Sequence, residues 1–160
     1  MDLILGIDPG RDKTGFAFVK FPEGNLIASG IFRTDEKKHF LEFLSAKKFF
    51  NKKWLIENFY YEEISDFNLK AIFIGNGTTS KNFFDENENN FLQENICIKI
   101  FEIDEKNTTL EARNLYWKIH KPSLFKRFLP RSMRVPSRKL DDLAAWAIVL
   151  RGLNIYGDIL

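Results

Sequence analysis

The chain has one cysteine, Cys97, among its 160 residues. That excludes an internal disulfide and a cysteine-based zinc site. Its two histidines, His39 and His120, exclude a histidine-rich metal centre. No apolar run reaches the roughly 18 residues of a membrane span, so no transmembrane helix is expected. The start of the chain lacks a basic n-region and a cleavage site, so export is not expected and a cytoplasmic location is. One stretch lacks acid altogether: residues 112 to 140 carry nine Lys/Arg and no Asp/Glu. With soft ligands this scarce, any metal here must be a hard ion on oxygen ligands.

What is present is ordinary globular material, 44% hydrophobic and 29% charged, long enough for a single domain over residues 1–160 with a real core. The net charge of +2 conceals an asymmetry. Residues 1 to 111 hold 14 basic and 19 acidic side chains, the acid-free block follows, and residues 141 to 160 hold one arginine and three aspartates. A basic block beside acidic residues is a pattern that suits phosphodiester chemistry.

Leu3–Ile7 reads as a buried strand, and Gly15–Lys20 and Leu26–Arg33 as two more joined by the turn at residues 21–25, all antiparallel. From Glu36 to Asp66, apolar residues recur every three or four positions, which predicts a long amphipathic helix, broken at most once. Its aromatics (Phe49, Phe50, Trp54, Phe59, Tyr60 and Tyr61) offer a stacking platform for bases, but at helical spacing they read better as core. Ala71–Ile74 predicts a strand, followed by a helix to Gln93, a strand over Ile96–Ile103, and a helix from a Thr108/Glu111 capping box to Ile119. Residues 120 to 137 read as an irregular basic arm, and Arg138–Leu153 as a final apolar helix. The order implies a mixed sheet with helices on both faces.

Acids stand at the ends of three apolar elements. Asp8 closes the first strand before Pro9-Gly10, which predicts a type II turn with Gly10 at positive φ. Asp104 and Glu105 follow the last strand. Asp141 and Asp142 open the last helix. Each has a plain structural explanation: a turn-capping side chain, a solvated turn, and charges complementing the helix dipole.

Three segments carry a resemblance. "GIDPGRDKTGFA" resembles the first strand of the RuvC/YqgF branch of the RNase H-like nucleases, "DEKNTTLEAR" looks like the YqgF motif D-E-R-x-[ST]-T-x-E-A, and "KLDDLAAWAIVL" is similar to that family's last helix. The resemblance spans Leu3 to Leu150 and is closer to YqgF. Lys106 stands where the motif has arginine, and Asn76 and Lys139 stand where RuvC has carboxylates. The resemblance implies an RNase H-like five-stranded sheet, three antiparallel strands and then two parallel ones. It implies Asp8, Glu105 and Asp142 as catalytic, metal-holding carboxylates, with Asp104 and Asp141 as neighbours able to substitute or assist. It implies one or two Mg²⁺ or Mn²⁺ ions, and hydrolysis of structured RNA (the 5′ end of precursor 16S rRNA) or of a Holliday junction. A homodimer is compatible with it.

Carboxylates gathered in one place repel one another, and a divalent cation relieves that repulsion. Lys118, Lys121, Lys126, Arg127, Arg131, Arg134 and Arg138 of the arm are suited to nucleic-acid phosphates, with Lys13 and Lys106 near the carboxylates. The arm's Phe125, Phe128 and Leu129 are expected to tether it to the core. Gly75, Asn76, Gly77 and Thr78 form a candidate phosphate loop, or an ordinary strand-to-helix turn. The competing reading is a catalytically inactive RNase H-like scaffold that binds nucleic acid.

Overall fold

Residues 3 to 7 are apolar without alternation, which suits a strand covered on both faces. The structure is a computed structural model that describes residues 1–46, 52–59, 67–77, 83–96, 98–122, 124–130 and 133–160; of residues 93, 95, 96, 125 and 126 it describes the backbone alone. That first run lies in β1 (Asp2–Asp8), with Leu3, Ile4, Leu5 and Ile7 fully buried. β2 (Lys13–Lys20) and β3 (Asn25–Arg33) follow as antiparallel neighbours. A short β4 (Leu55–Asn58) is antiparallel to β3 at the edge. On the other side of β1, β5 (Asn68–Gly75) and β6 (Lys99–Ile103) run parallel to it. The sheet order is β4-β3-β2-β1-β5-β6.

One face carries α1 (Lys37–Ser45) and α2 (Glu86–Ile96), the other α3 (Thr108–Ile119) and α5 (Asp141–Tyr156); α4 (Leu124–Arg127) is one turn within the basic arm. Helices cover both faces, as the element order implied. Among the described residues, no helix is long and apolar enough to cross a membrane.

Four local expectations are corrected. The five-stranded sheet has a sixth strand, because the segment read as one long helix is α1 followed by β4. Trp54 enters the aromatic cluster with Phe32 and Phe40, whose rings stack at 4.4 Å, and the next four residues pair with β3. Trp54 is thus core, while Phe59 is half exposed; Phe49, Phe50, Tyr60 and Tyr61 lie outside the described residues. Thr108 is the first helical residue of α3 rather than its cap; Asn107 precedes it with φ 70. Gly10 does not take the positive φ of a type II turn. Among the described residues the positive-φ glycine is Gly24. Gly10 answers instead to space, since a Cβ there would lie 2.2 Å from the Lys13 carbonyl oxygen.

The apolar helix α5 lies directly on the sheet. A Cβ on Gly6 would meet the Ala145 carbonyl at 2.2 Å, and one on Gly15 the Asp141 carbonyl at 2.1 Å. Small residues on both partners bring backbone to backbone. Gly15→Ala therefore has to lift the start of α5, and a loss of about 1–3 kcal/mol is expected from urea unfolding. Gly157→Ala, with nothing within 4 Å of its new methyl, should stay within about 0.5 kcal/mol of the parent. Equal stability of the two variants would contradict this backbone contact.

Candidate active site

Three chain segments meet at one end of the sheet. Asp8 is the last residue of β1, and the register sets it opposite Gly15 of β2. Gly15 is where the backbone of Asp141 presses down. On the other side, Gly75 pairs with Ile103 at the end of β6, so the chain leaving β6 reaches the same end of the sheet. There the Glu105 carboxylate lies over the loop at residues 75–77. A Cβ on Gly75 would fall 2.5 Å from Glu105 Oε2, and one on Gly77 1.7 Å from Oε1.

The scaffold around these groups is hydrogen-bonded. The wholly buried Thr14 shares a 3.0 Å hydrogen bond with the Thr34 hydroxyl, which lies 2.9 Å from the Gly10 carbonyl. Thr14 therefore braces the turn after Asp8. Thr108 donates from Oγ1 to the Glu105 carbonyl at 2.8 Å. The Glu105 amide faces Asn76 Oδ1 at 3.4 Å.

The carboxyl of Asp8 is pushed up from 3.8 to about 7. Burial is the main cause, followed by repulsion from Glu105 and then from Asp141. Among the described residues, no lysine or arginine forms an ion pair with any of the three. Glu105 Oε2 is buried without a hydrogen-bond partner, an arrangement that costs free energy unless something positive approaches.

Asp142 is not where the resemblance put it. Consecutive helical side chains point roughly 100° apart, so Asp141 and Asp142 cannot both face Asp8. Asp142 is 0% exposed. Its Oδ1 accepts from Arg138 Nη1 at 2.6 Å, and its Oδ2 from Ser29 Oγ at 2.7 Å and Arg138 Nη2 at 3.2 Å. Arg138 Nη2 also donates to Glu57 Oε1 at 2.5 Å, and His120 Nε2 lies 2.7 Å from the same oxygen. Burial pulls the Arg138 guanidinium down, but the hydrogen bonds and charges of Asp142 and Glu57 outweigh it and hold it above its ordinary value. The carboxylate acting on Asp8 from α5 is Asp141. Asp104 is also elsewhere: it is exposed and accepts from the Lys106 amide at 2.9 Å.

The basic candidates divide into two groups. Lys13, Lys106, Lys121 and Arg127 are exposed. Lys118 is exposed with its ammonium 5.9 Å from the Trp146 ring. Arg134 bonds the carbonyls of Leu129 and Arg127 at 3.0 Å each, holding the arm's own shape. Arg138 is committed to Asp142 and Glu57, which corrects its assignment to phosphate. The Lys126 side chain, Arg131 and Thr78 lie outside the described residues, as does Cys97. In the described part of the glycine loop, the Glu105 carboxylate occupies the space over Gly75 and Gly77. Phe128 is 90% exposed and Leu129 41%, so they do not tether the arm; the Phe125 side chain is outside the described residues. The Arg138–Asp142–Glu57 network was missed from sequence. Its one signal was the i,i+4 spacing of Arg138 and Asp142.

Among the described residues, no three carboxylate, imidazole or thiol groups stand as a ready-made metal cluster. The donor set nevertheless fits a hard cation. It has three carboxylates with no counter-charge, one buried oxygen with no partner, and a loop whose missing Cβ atoms leave room for Glu105.

No protein-family model matches the chain, and no curated protein matches it. Among solved structures it is similar to RuvC of Thermus thermophilus, at 11% identity over 98% of this chain and 96% of that one, with a TM-score of 0.44. It is also similar to the Fowlpox virus resolvase solved with Holliday junction DNA, at 13% identity over 99% of both chains, with a TM-score of 0.42. Likeness at this level carries no inference about activity.

The pH dependence of stability follows from Asp8. Its folded value lies above its unfolded one, so the folded chain binds the extra proton and stability falls as pH rises from about 4 to about 7. The cost of ionising it in the folded chain is on the order of 4 kcal/mol. In metal-free buffer, Asp8→Asn should be more stable than the parent at pH 8, and the two should converge at pH 4. Urea unfolding at both pH values checks this; a constant difference would contradict it.

Proposed function

We propose that the chain is a metal-dependent nuclease of RNase H-like type, formed as one domain over residues 1–160, that hydrolyses phosphodiester bonds in structured nucleic acid. The observation that carries this reading is the convergence of Asp8, Glu105 and Asp141, unpaired with any cation among the described residues, beside an Asp142 that is fully paired. A chain built only for burial avoids grouping ionisable acids in this way. Asp8, Glu105 and Asp141 are the residues that would hold Mg²⁺ or Mn²⁺. Bound there, the ion supplies Lewis-acid polarisation of the scissile phosphate and charge neutralisation at the leaving oxygen.

The chain's own part is to hold these oxygens in place and to bind substrate. Asp8 is central, since both other acids act on it. Burial on β1 fixes it while leaving it without a counter-charge. Lys13 and Lys106 flank the acids in sequence and are exposed to meet phosphates. The acid-free arm adds Lys121 and Arg127, and Phe128 offers an exposed ring beside Arg127 for an unpaired base.

The carboxylates address the phosphodiester rather than the sugar, so two substrates are to be offered: a structured RNA such as a precursor 16S rRNA 5′ end, and a four-way DNA junction. Cleavage of one or both is expected with Mn²⁺, and none with chelator or with Asp8→Asn. Equal cleavage by Asp8→Asn would place the activity elsewhere. The scaffold reading rests on the described residues holding no ready-made ligand cluster. Calorimetric titration decides between the two: absence of Mg²⁺ and Mn²⁺ binding favours the scaffold.

Phe128→Ala is expected to weaken nucleic-acid binding about 5- to 150-fold, the range for loss of one base–aromatic stack. Fluorescence anisotropy measures it. Unchanged affinity would remove Phe128 from the interface.

A further inference from the structure

The first turn of α5 has to choose which of two adjacent aspartates faces Asp8. No side-chain cap makes that choice, since the preceding Leu140 supplies none. The choice coincides with a part-buried ion-pair network that holds the next residue of the same turn, Asp142. We propose that Arg138 is a positioning residue: by holding Asp142 against Glu57 it fixes the rotation of α5 and so aims Asp141 at Asp8. This inference rests on the reading of Asp8, Glu105 and Asp141 as a cation-holding nuclease site.

Four observations carry it. Both oxygens of Asp142 are engaged, one by Arg138 and the other by Ser29 and Arg138, so its carboxylate plane is fixed rather than only its charge neutralised. Arg138 spans two carboxylates on separate elements, Asp142 of α5 and Glu57 of β4. Glu57 is itself buried and sits opposite Ser29 in the β3–β4 register. The strand added at the sheet edge thus supplies the far anchor. The Tyr116 ring of α3 lies 5.7 Å from the guanidinium carbon, and His120 bonds the same Glu57 oxygen. The network therefore ties α5 to β3, β4 and α3 at once. Because neighbouring helical side chains differ by roughly 100°, a turn that releases Asp142 also moves Asp141. Only a planar fork reaches both carboxylates; lysine keeps the charge and loses the bridge.

The test compares the parent with Arg138→Lys and with a triple variant, Glu57→Leu/Arg138→Met/Asp142→Leu. Removing the three charges together strands no lone buried ion, which favours a folded product; circular dichroism melting verifies this. Mn²⁺ affinity by calorimetry, and kcat and KM on whichever nucleic acid the parent cuts, are then measured. Loss of a group that orients metal ligands typically costs 10- to 100-fold in metal affinity or activity. The folded triple variant is expected to bind Mn²⁺ about tenfold more weakly and to lose about 10- to 100-fold in kcat, with KM within about twofold. Arg138→Lys is expected to fall between it and the parent. A folded triple variant with parental Mn²⁺ affinity and kcat overturns the proposal, as does a purely thermal effect in which the melting point falls and both values hold. If the triple variant does not fold, parental values in Arg138→Lys overturn it. A parent chain that neither binds Mn²⁺ nor cuts removes the nuclease reading, and this inference with it.

Discussion

The site depends on α5 lying on β1 and β2 at backbone contact. Gly6 and Gly15 have no side chain to hold the helix away, and Ala144, Ala145 and Ala147 add little bulk from the helix side. At that distance the helix start is set against the strand ends to within a fraction of a side chain. Asp141 then comes beside Asp8 without either residue leaving its element. A bulkier pair at this contact would separate the two acids and, with them, the two halves of the site.

A second constraint is the unequal treatment of like charges. Acids near this end of the sheet have different fates. Asp142 and Glu57 are buried and share Arg138. Asp104 is solvated and bonded to its own turn. Among the described residues Asp8, Glu105 and Asp141 have no ion-pair partner, and one Glu105 oxygen is buried without a hydrogen bond. Burying an ion pair contributes little net stability but defines geometry, whereas leaving acids unpaired costs stability. The two choices are complementary: the paired acids orient the helix that presents an unpaired one. A bound cation would offset the cost through mass action, stabilising the folded state that carries the site.

The edge strand β4 and the basic arm extend the sheet in different ways. β4 brings a buried glutamate to the end of the arm, where Arg138 meets it. The arm is then free to present Arg127 and Phe128 outward while Arg134 ties its own carbonyls. Its acid-free composition and exposed ring are what the proposed nucleic-acid contact draws on. The arm's last residues pass directly into α5, so the basic block and the carboxylates at the helix start share one stretch of chain.

Much of this was legible in the amino-acid order. The unbroken apolar run of β1, the two following strands and the apolar last helix follow from pattern, and the parallel pair is what the family resemblance implied. So do the three acid positions at element ends, the lack of soft metal ligands and the acid-free block. Three things were decided only in three dimensions. Residues 55–58 joined the sheet because Trp54 found Phe32 and Phe40, and a short aromatic-rich run fits either period. The glycine loop at residues 75–77 received the Glu105 carboxylate, which lies 29 positions from Asn76 along the chain. Asp141 rather than Asp142 faced Asp8. Periodicity says which residues share a helix face, but the rotation of that helix about its axis is set by distant partners. Here Ser29 lies 113 positions from Asp142, and Glu57 lies 81 from Arg138. Local sequence carries no record of such contacts, because their free energy exists only once the chain has folded.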